Sequence, residues 1–158
     1  MNPIYAEIPL LARHAGTWSG VYSHVRPDLS VVDRHRFTIS VELPQDEAFH
    51  YRQTSRYWWE DGRTRDVVFD ARCENGRLVW DNGRIRGALW QLDDATLYLW
   101  FGFHDDPDVV IYEMMQLSPD GQARARTWHW LRHHRLFQIT LVDEAREGDA
   151  PSRAAPSD

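Results

Sequence analysis

Two sets of polar side chains in this sequence are of the types and spacing that carry chemistry. Glu113 and Arg126 form the first. They sit in two apolar strands joined by Ser118-Pro119-Asp120-Gly121, a turn sequence with Pro and Asp early and Gly last. Pairing Leu117 with Gln122 across that turn sets Met115 against Arg124, Glu113 against Arg126, Ile111 against Trp128 and Val109 against Trp130. A Glu–Arg pair on an apolar face would hold a polar ligand group, or let Glu113 act as an acid or base, its pKa set by burial against the guanidinium. The plain alternative is an ion pair that only satisfies itself.

Tyr22, His24, Asp33, His35 and Tyr57 form the second set. Hairpin register brings His24 to Asp33 and His35 to Tyr22, with Tyr57 beside His35. Two imidazoles next to a carboxylate suit proton transfer near neutral pH. They would equally ligate a divalent metal, but no spacing such as HExxH supports that, and no metal or cofactor is expected. The bland reading is a polar rim that admits water. His129, His133 and His134 resemble a metal cluster only by eye, since His129 counts outward and the other two occupy a turn. Cys73 precedes a tight turn with no basic helper nearby, so a catalytic thiol is not expected.

Aromatic residues supply a third set: Trp80, Trp100, Trp128 and Trp130, with Tyr98 and Phe137. They would either fill the core or line a slot that orients a flat or extended apolar ligand by stacking. The slot is favoured, because a barrel of about eight strands is the size its own side chains just fill.

Period-two alternation is what must position these groups. After a short helix over residues 4–15, stopped by Gly16, strands are expected near 17–26, 31–43, 48–59, 63–72, 77–81, 84–91, 96–104, 109–117, 122–132 and 136–143. Asn75-Gly76 and Asn82-Gly83 are strong hairpin signals, and Glu60-Asp61-Gly62 fits a three-residue loop. Carried through the hairpins, the register gives one inner face. It collects Trp18, Gly20, Tyr22 and His24 opposite Ile39, Phe37, His35 and Asp33. Phe49, Tyr51, Gln53, Ser55, Tyr57 and Trp59 follow, then Val67, Phe69, Ala71, Leu78, Trp80, Ile85, Gly87 and Leu89. The last strands add Trp128, Trp130, Phe137, Ile139 and Leu141, with Arg124 against Asp143.

Strand 7 is ambiguous. An Asp105–Asp108 turn puts Tyr98, Trp100 and His104 inside and Leu97, Leu99, Phe101 and Phe103 outside, and a one-residue slip exchanges the two sets. Without the slip, the outer set joins Val110, Tyr112 and Met114 in an apolar patch that suggests a homodimer interface. Ten short antiparallel strands and one helix point to an all-β, single up-and-down β-barrel, plugged by the helix near Trp18 and open at the other end.

Gly16-Thr17-Trp18, following a short helix and opening the first strand, resembles the Gly-x-Trp signature of the calycins, which include lipocalins, fatty-acid-binding proteins and bacterial ten-stranded relatives. With the tight hairpins and the Thr127-Trp128-His129-Trp130 segment, the pattern over about residues 5–146 is most similar to uncharacterised bacterial lipocalin-like barrels. The resemblance implies a ligand cavity. It also implies that Trp18 closes the floor under a basic residue, Arg124 or Arg146. The chain is expected to depart from secreted lipocalins in lacking a signal peptide and a disulfide, and from heme-binding nitrobindins in lacking their recognisable N- and C-terminal patterns.

The bulk numbers exclude other classes. A chain of 158 residues suits one domain, here a barrel over 1–146 followed by a polar tail, 147–158, expected to be disordered. A net charge of −6 and the lack of any Lys/Arg stripe argue against nucleic acid. No apolar run approaches membrane-spanning length, and a single cysteine fits a reducing compartment, so a cytoplasmic protein is expected. The leading expectation is a barrel that binds a small apolar or aromatic molecule through Tyr22, His24, Asp33, Gln53, Trp80, Trp100, Arg126, Trp128 and Trp130. The alternative is an isomerase, lyase or cyclase acting on a polyketide-like or phenolic substrate, with Glu113, His35 or Tyr57 moving a proton. A protein-interaction module working through the outer patch is a third.

Overall fold

The computed structural model describes residues 1–148, so most of the expected tail lies outside the described residues. Ten strands follow two short helices: α1 (Ile4–Glu7), α2 (Pro9–Ala12), β1 (Gly16–Val25), β2 (Val31–Glu42), β3 (Tyr51–Trp58), β4 (Thr64–Glu74), β5 (Arg77–Asp81), β6 (Ile85–Gln91), β7 (Thr96–Phe103), β8 (Val109–Leu117), β9 (Ala123–Arg132) and β10 (Arg135–Arg146). Every strand pairs antiparallel with its sequence neighbour, and β10 returns to β1, closing the barrel. Closure leaves no unpaired sheet edge. No described helix is long and apolar enough to cross a membrane.

The expected single helix is two four-residue turns, broken where Ile8 leaves helical geometry and Pro9 restarts it. Ile4, Ile8, Leu10 and Leu11 are buried in the barrel end. Polar ties fix the plug: Asn2 Nδ2 donates to the carbonyls of Pro44 and His50, and the Gly76 amide donates to Glu7 Oε2. Trp18 is fully buried beneath the plug, with its indole N–H on the His14 carbonyl at 2.9 Å. Both candidate arginines reach it, the guanidinium carbons of Arg124 and Arg146 each lying 4.4 Å from the ring centroid. Gly20 is required beside it, because a Cβ there would fall 1.9 Å from the Asp143 carbonyl on β10.

The β1–β2 register is the expected one: Trp18 faces Ile39, Gly20 Phe37, Tyr22 His35 and His24 Asp33. Elsewhere turn length altered it in two ways, depending on parity. Between β8 and β9, Leu117 pairs with Arg124 rather than Gln122, because the ladder closes through Ser118 and Ala123 around a longer loop. A two-residue shift keeps every side chain on its face, so Glu113 now opposes Trp128, Met115 opposes Arg126, and all four still point inward.

Odd shifts turn a strand over. The β7–β8 loop spans 104–108, one residue more than expected, so Leu97 and Leu99 are buried, Phe101 and Phe103 line the interior, and Trp100 goes outside opposite Ala88 and Tyr112. In β10 a bulge between Leu136 and Gln138 does the same. Phe137 and Leu141 are 39% and 44% exposed and Asp143 faces out, while Thr140, Val142 and Glu144 are buried in their place. An outer aromatic face therefore exists on β6–β8: Tyr112 and Met114 are exposed there as expected, but Tyr98 and Trp100 replace the four β7 residues expected beside them. Trp90 packs on Tyr98 at 4.8 Å, Tyr98 stacks on Tyr112, and Met114 is exposed beside them.

Candidate functional site

Among the described residues the plug fills one end, and the interior extends toward the loops joining β1–β2, β3–β4, β5–β6, β7–β8 and β9–β10. Inside is a cavity of ≈ 340 Å³ lined by residues from nine of the ten strands. Its walls are aromatic and aliphatic: Phe69, Leu78, Trp80, Leu89, Phe101, Phe103, Met115, Trp128 and Trp130. Of the residues expected at the site, Tyr22, His24, Asp33, His35, Gln53, Tyr57, Trp80, Glu113, Arg126, Trp128 and Trp130 line it, whereas Trp100, Tyr98 and Phe137 do not. Among the described residues the buried indole N–H groups of Trp80 and Trp128 have no acceptor within 3.5 Å, although the Trp128 indole still bears on the Glu113 carboxyl and lowers its pKa.

The deep end is charged. Arg126 is 4% exposed and divides its donors among three partners: Nε to Glu144 Oε1 at 2.7 Å, a terminal nitrogen to the Tyr22 hydroxyl at 2.7 Å, and the other to Glu113 at 3.5 Å. Arg124, below it, pairs with both oxygens of Glu144 and donates to His14 Nδ1 at 3.3 Å. Glu144 thus balances one arginine firmly, and Glu113 is the second, looser carboxylate. Burial raises the Glu113 pKa to about 7, against the opposing pull of Arg126. Burial and the neighbouring Arg124 lower His14 to about 3, so it stays neutral. Burial also pushes Tyr51 up to about 12 and holds Tyr22 well above its ordinary range.

The mouth carries the second set. His35 Nδ1 lies 2.7 Å from Asp33 Oδ2, and the Trp59 indole N–H reaches Asp33 Oδ1 at 3.0 Å. The Asp33 carboxyl sits below its ordinary value: partial burial works against the charge, and the hydrogen bonds from His35 and Trp59 outweigh it. His24 Nδ1 meets Thr140 Oγ1 at 2.7 Å, and the same hydroxyl accepts from the Trp130 indole at 2.8 Å. Tyr22 stacks on His35 at 5.1 Å, and the Tyr57 ring meets His35 edge-on at 5.6 Å. One donor atom each of His24, Asp33 and His35 lies within 4.8 Å of the other two.

Sequence reasoning missed Glu144, Thr140 and His14, all buried members of these networks. The sequence pairs Arg124 with Asp143; the bulge in β10 turns Asp143 outward and sets its neighbour Glu144 against Arg124 instead.

A family model described as "Domain of unknown function (DUF3598), N-terminal" matches residues 8–149. Among solved structures, a DUF3598-family protein of unknown function from Nostoc punctiforme superposes with a TM-score of 0.65 at 18% identity, over 87% of this chain and 49% of that one. The chain thus spans about half the length of that relative. The S-type phycobiliprotein lyase CPES from Guillardia theta superposes with a TM-score of 0.68 at 13% identity, over 90% of this chain and 93% of that one. At these identities the likeness is one of fold. No curated protein matches the chain.

Proposed function

The chain belongs to the DUF3598 family, and on that premise we propose that it binds a small aromatic molecule with one polar end inside the barrel. The observation that carries this reading is a guanidinium with spare donors at the bottom of an open aromatic cavity. A guanidinium has five N–H donors, and the two firm bonds of Arg126 leave those facing Glu113 at 3.5 Å available to a guest oxygen. Size narrows the guest. An apolar cavity of about 150 Å³ accepts benzene, so ≈ 340 Å³ suits about two fused or linked rings. Trp18 between Arg124 and Arg146 supports reading the barrel as calycin-type.

The test is titration of tryptophan fluorescence with 2-naphthoic acid and with naphthalene. The acid is expected to quench saturably and bind about tenfold tighter than the hydrocarbon, because a charge-assisted hydrogen bond contributes about 1.5–3 kcal/mol. Val67→Trp, placed on the cavity wall, is expected to abolish both. Equal binding to Val67→Trp and wild type contradicts the proposal.

A second reading is favoured by one observation: the Glu113 carboxyl lines the cavity with a pKa near 7. A carboxyl poised there can take or give a proton at working pH. The corresponding reaction is an isomerase, lyase or cyclase step on a phenolic or polyketide-like guest. Its signature is turnover lost in Glu113→Gln with guest affinity kept.

A further inference from the structure

At the cavity mouth, away from the charged floor, lies the one group among the described residues whose donors converge on a common point. We propose that His24, Asp33 and His35 bind a divalent transition-metal ion at the entrance of the barrel, its open coordination positions facing the cavity. The donor set is two imidazoles and one carboxylate, which suits zinc, cobalt or ferrous iron rather than calcium or magnesium.

Three features support it. The first is reach. Ligand atoms around a four-coordinate ion at about 2.1 Å stand about 3.4 Å apart, so donors already within 4.8 Å of one another need only small side-chain rotations to close. Backbone placement is the second. His24 and Asp33 face each other across the β1–β2 ladder, and His35 lies two residues on from Asp33, on the same face of the sheet. The third is an outer layer of hydrogen bonds of the kind that orients ligands. Trp59 Nε1 holds Asp33 Oδ1 at 3.0 Å, Thr140 Oγ1 holds His24 Nδ1 at 2.7 Å, and the Tyr22 ring stacks on His35. Asp33 Oδ2 and His35 Nδ1, now hydrogen-bonded at 2.7 Å, exchange the proton between them for the ion and open toward about 3.4 Å.

Three protein ligands leave room for water or for the polar end of a guest entering the barrel. Ion binding is read with no organic guest present, so its failure and the failure of guest binding are separate results. By contrast, His133 and His134 form an exposed turn and provide the obvious competing site.

The experiment is titration of chelator-treated protein with cobalt(II), followed by ligand-field absorption and displacement with zinc. The expected result is saturation at one ion per chain. Asp33→Asn, His24→Gln and His35→Gln are each expected to weaken binding by at least tenfold, since loss of an outer-layer partner alone costs about 10–100-fold. The double variant His133→Gln/His134→Gln is expected to bind like wild type. Absence of saturable binding to the wild-type protein overturns the proposal, and this result does not depend on any variant folding. Binding that persists in both Asp33→Asn and His24→Gln, or that disappears with His133 and His134, overturns it as well.

Discussion

Replacing Glu113 with Gln separates an ion pair that holds the barrel together from a carboxyl kept in reserve for a guest. Glu113 is 3% exposed, and burial lifts its pKa from 4.5 to about 7 while Arg126 pulls the other way. The unfolded chain ionises this group near 4.5, whereas the folded protein keeps it protonated to about 7, so folding takes up a proton between those values. The group's contribution to stability is fully present below pH 4.5 and is lost as pH rises through 7. A tenfold difference in proton affinity between the folded and unfolded chain corresponds to about 1.36 kcal/mol, so the loss amounts to roughly 3 kcal/mol. Glutamine mimics the protonated acid and does not titrate. Urea midpoints measured from about pH 4.5 to 8 should therefore show Glu113→Gln close to wild type at the acid end and about 3 kcal/mol more stable, relative to that baseline, at the alkaline end. A flat difference, or a variant less stable at alkaline pH, would refute the reasoning and make Glu113 a charged structural partner of Arg126.

His14 gives the opposite slope. Its pKa is lowered from 6.5 to about 3 by burial and by Arg124, so the stability it contributes is complete above pH 6.5 and falls as the pH drops toward 3. Between about pH 6.5 and 5 that loss is about 2 kcal/mol; His14→Gln, which keeps an acceptor for Arg124, should remove it from the urea midpoints. The β9–β10 turn places His133 and His134 at φ of 47° and 63°, where each L residue costs about 1–2 kcal/mol. His133→Asn/His134→Gly should therefore raise the melting temperature by about 3–6 °C, and an unchanged or lower value would show that the turn is not strained.

The barrel was legible because its turns are. Asn75-Gly76 adopts positive φ at both residues, as a type I′ hairpin requires, and at Asn82-Gly83 the Gly supplies the first central position of a two-residue loop. The Tyr22–His35 and His24–Asp33 pairs followed from the β1–β2 hairpin without error. What did not follow was parity. The extra residue in loop 104–108 and the bulge at Phe137 leave no mark in the alternation, because both faces of β7 and β10 are apolar enough to serve as core. Trp100 was misplaced for the first reason, and Glu144 was missed for the second. Closure corrects the second. Once β10 returns to β1, Gly20 must face Glu144 and Tyr22 must face Val142, a long-range condition that hairpin counting cannot supply. The deep charged cluster depends on that closure and was only half visible, through Glu113 and Arg126.

Locating a guest tests the central claim most directly. In a crystal structure of the protein with 2-naphthoic acid, the rings should lie between Trp80 and Trp128, with the carboxylate within hydrogen-bond distance of Arg126. Density for the acid only on the outer face around Trp90, Tyr98 and Tyr112, or an interior collapsed onto its own tryptophans, would contradict it.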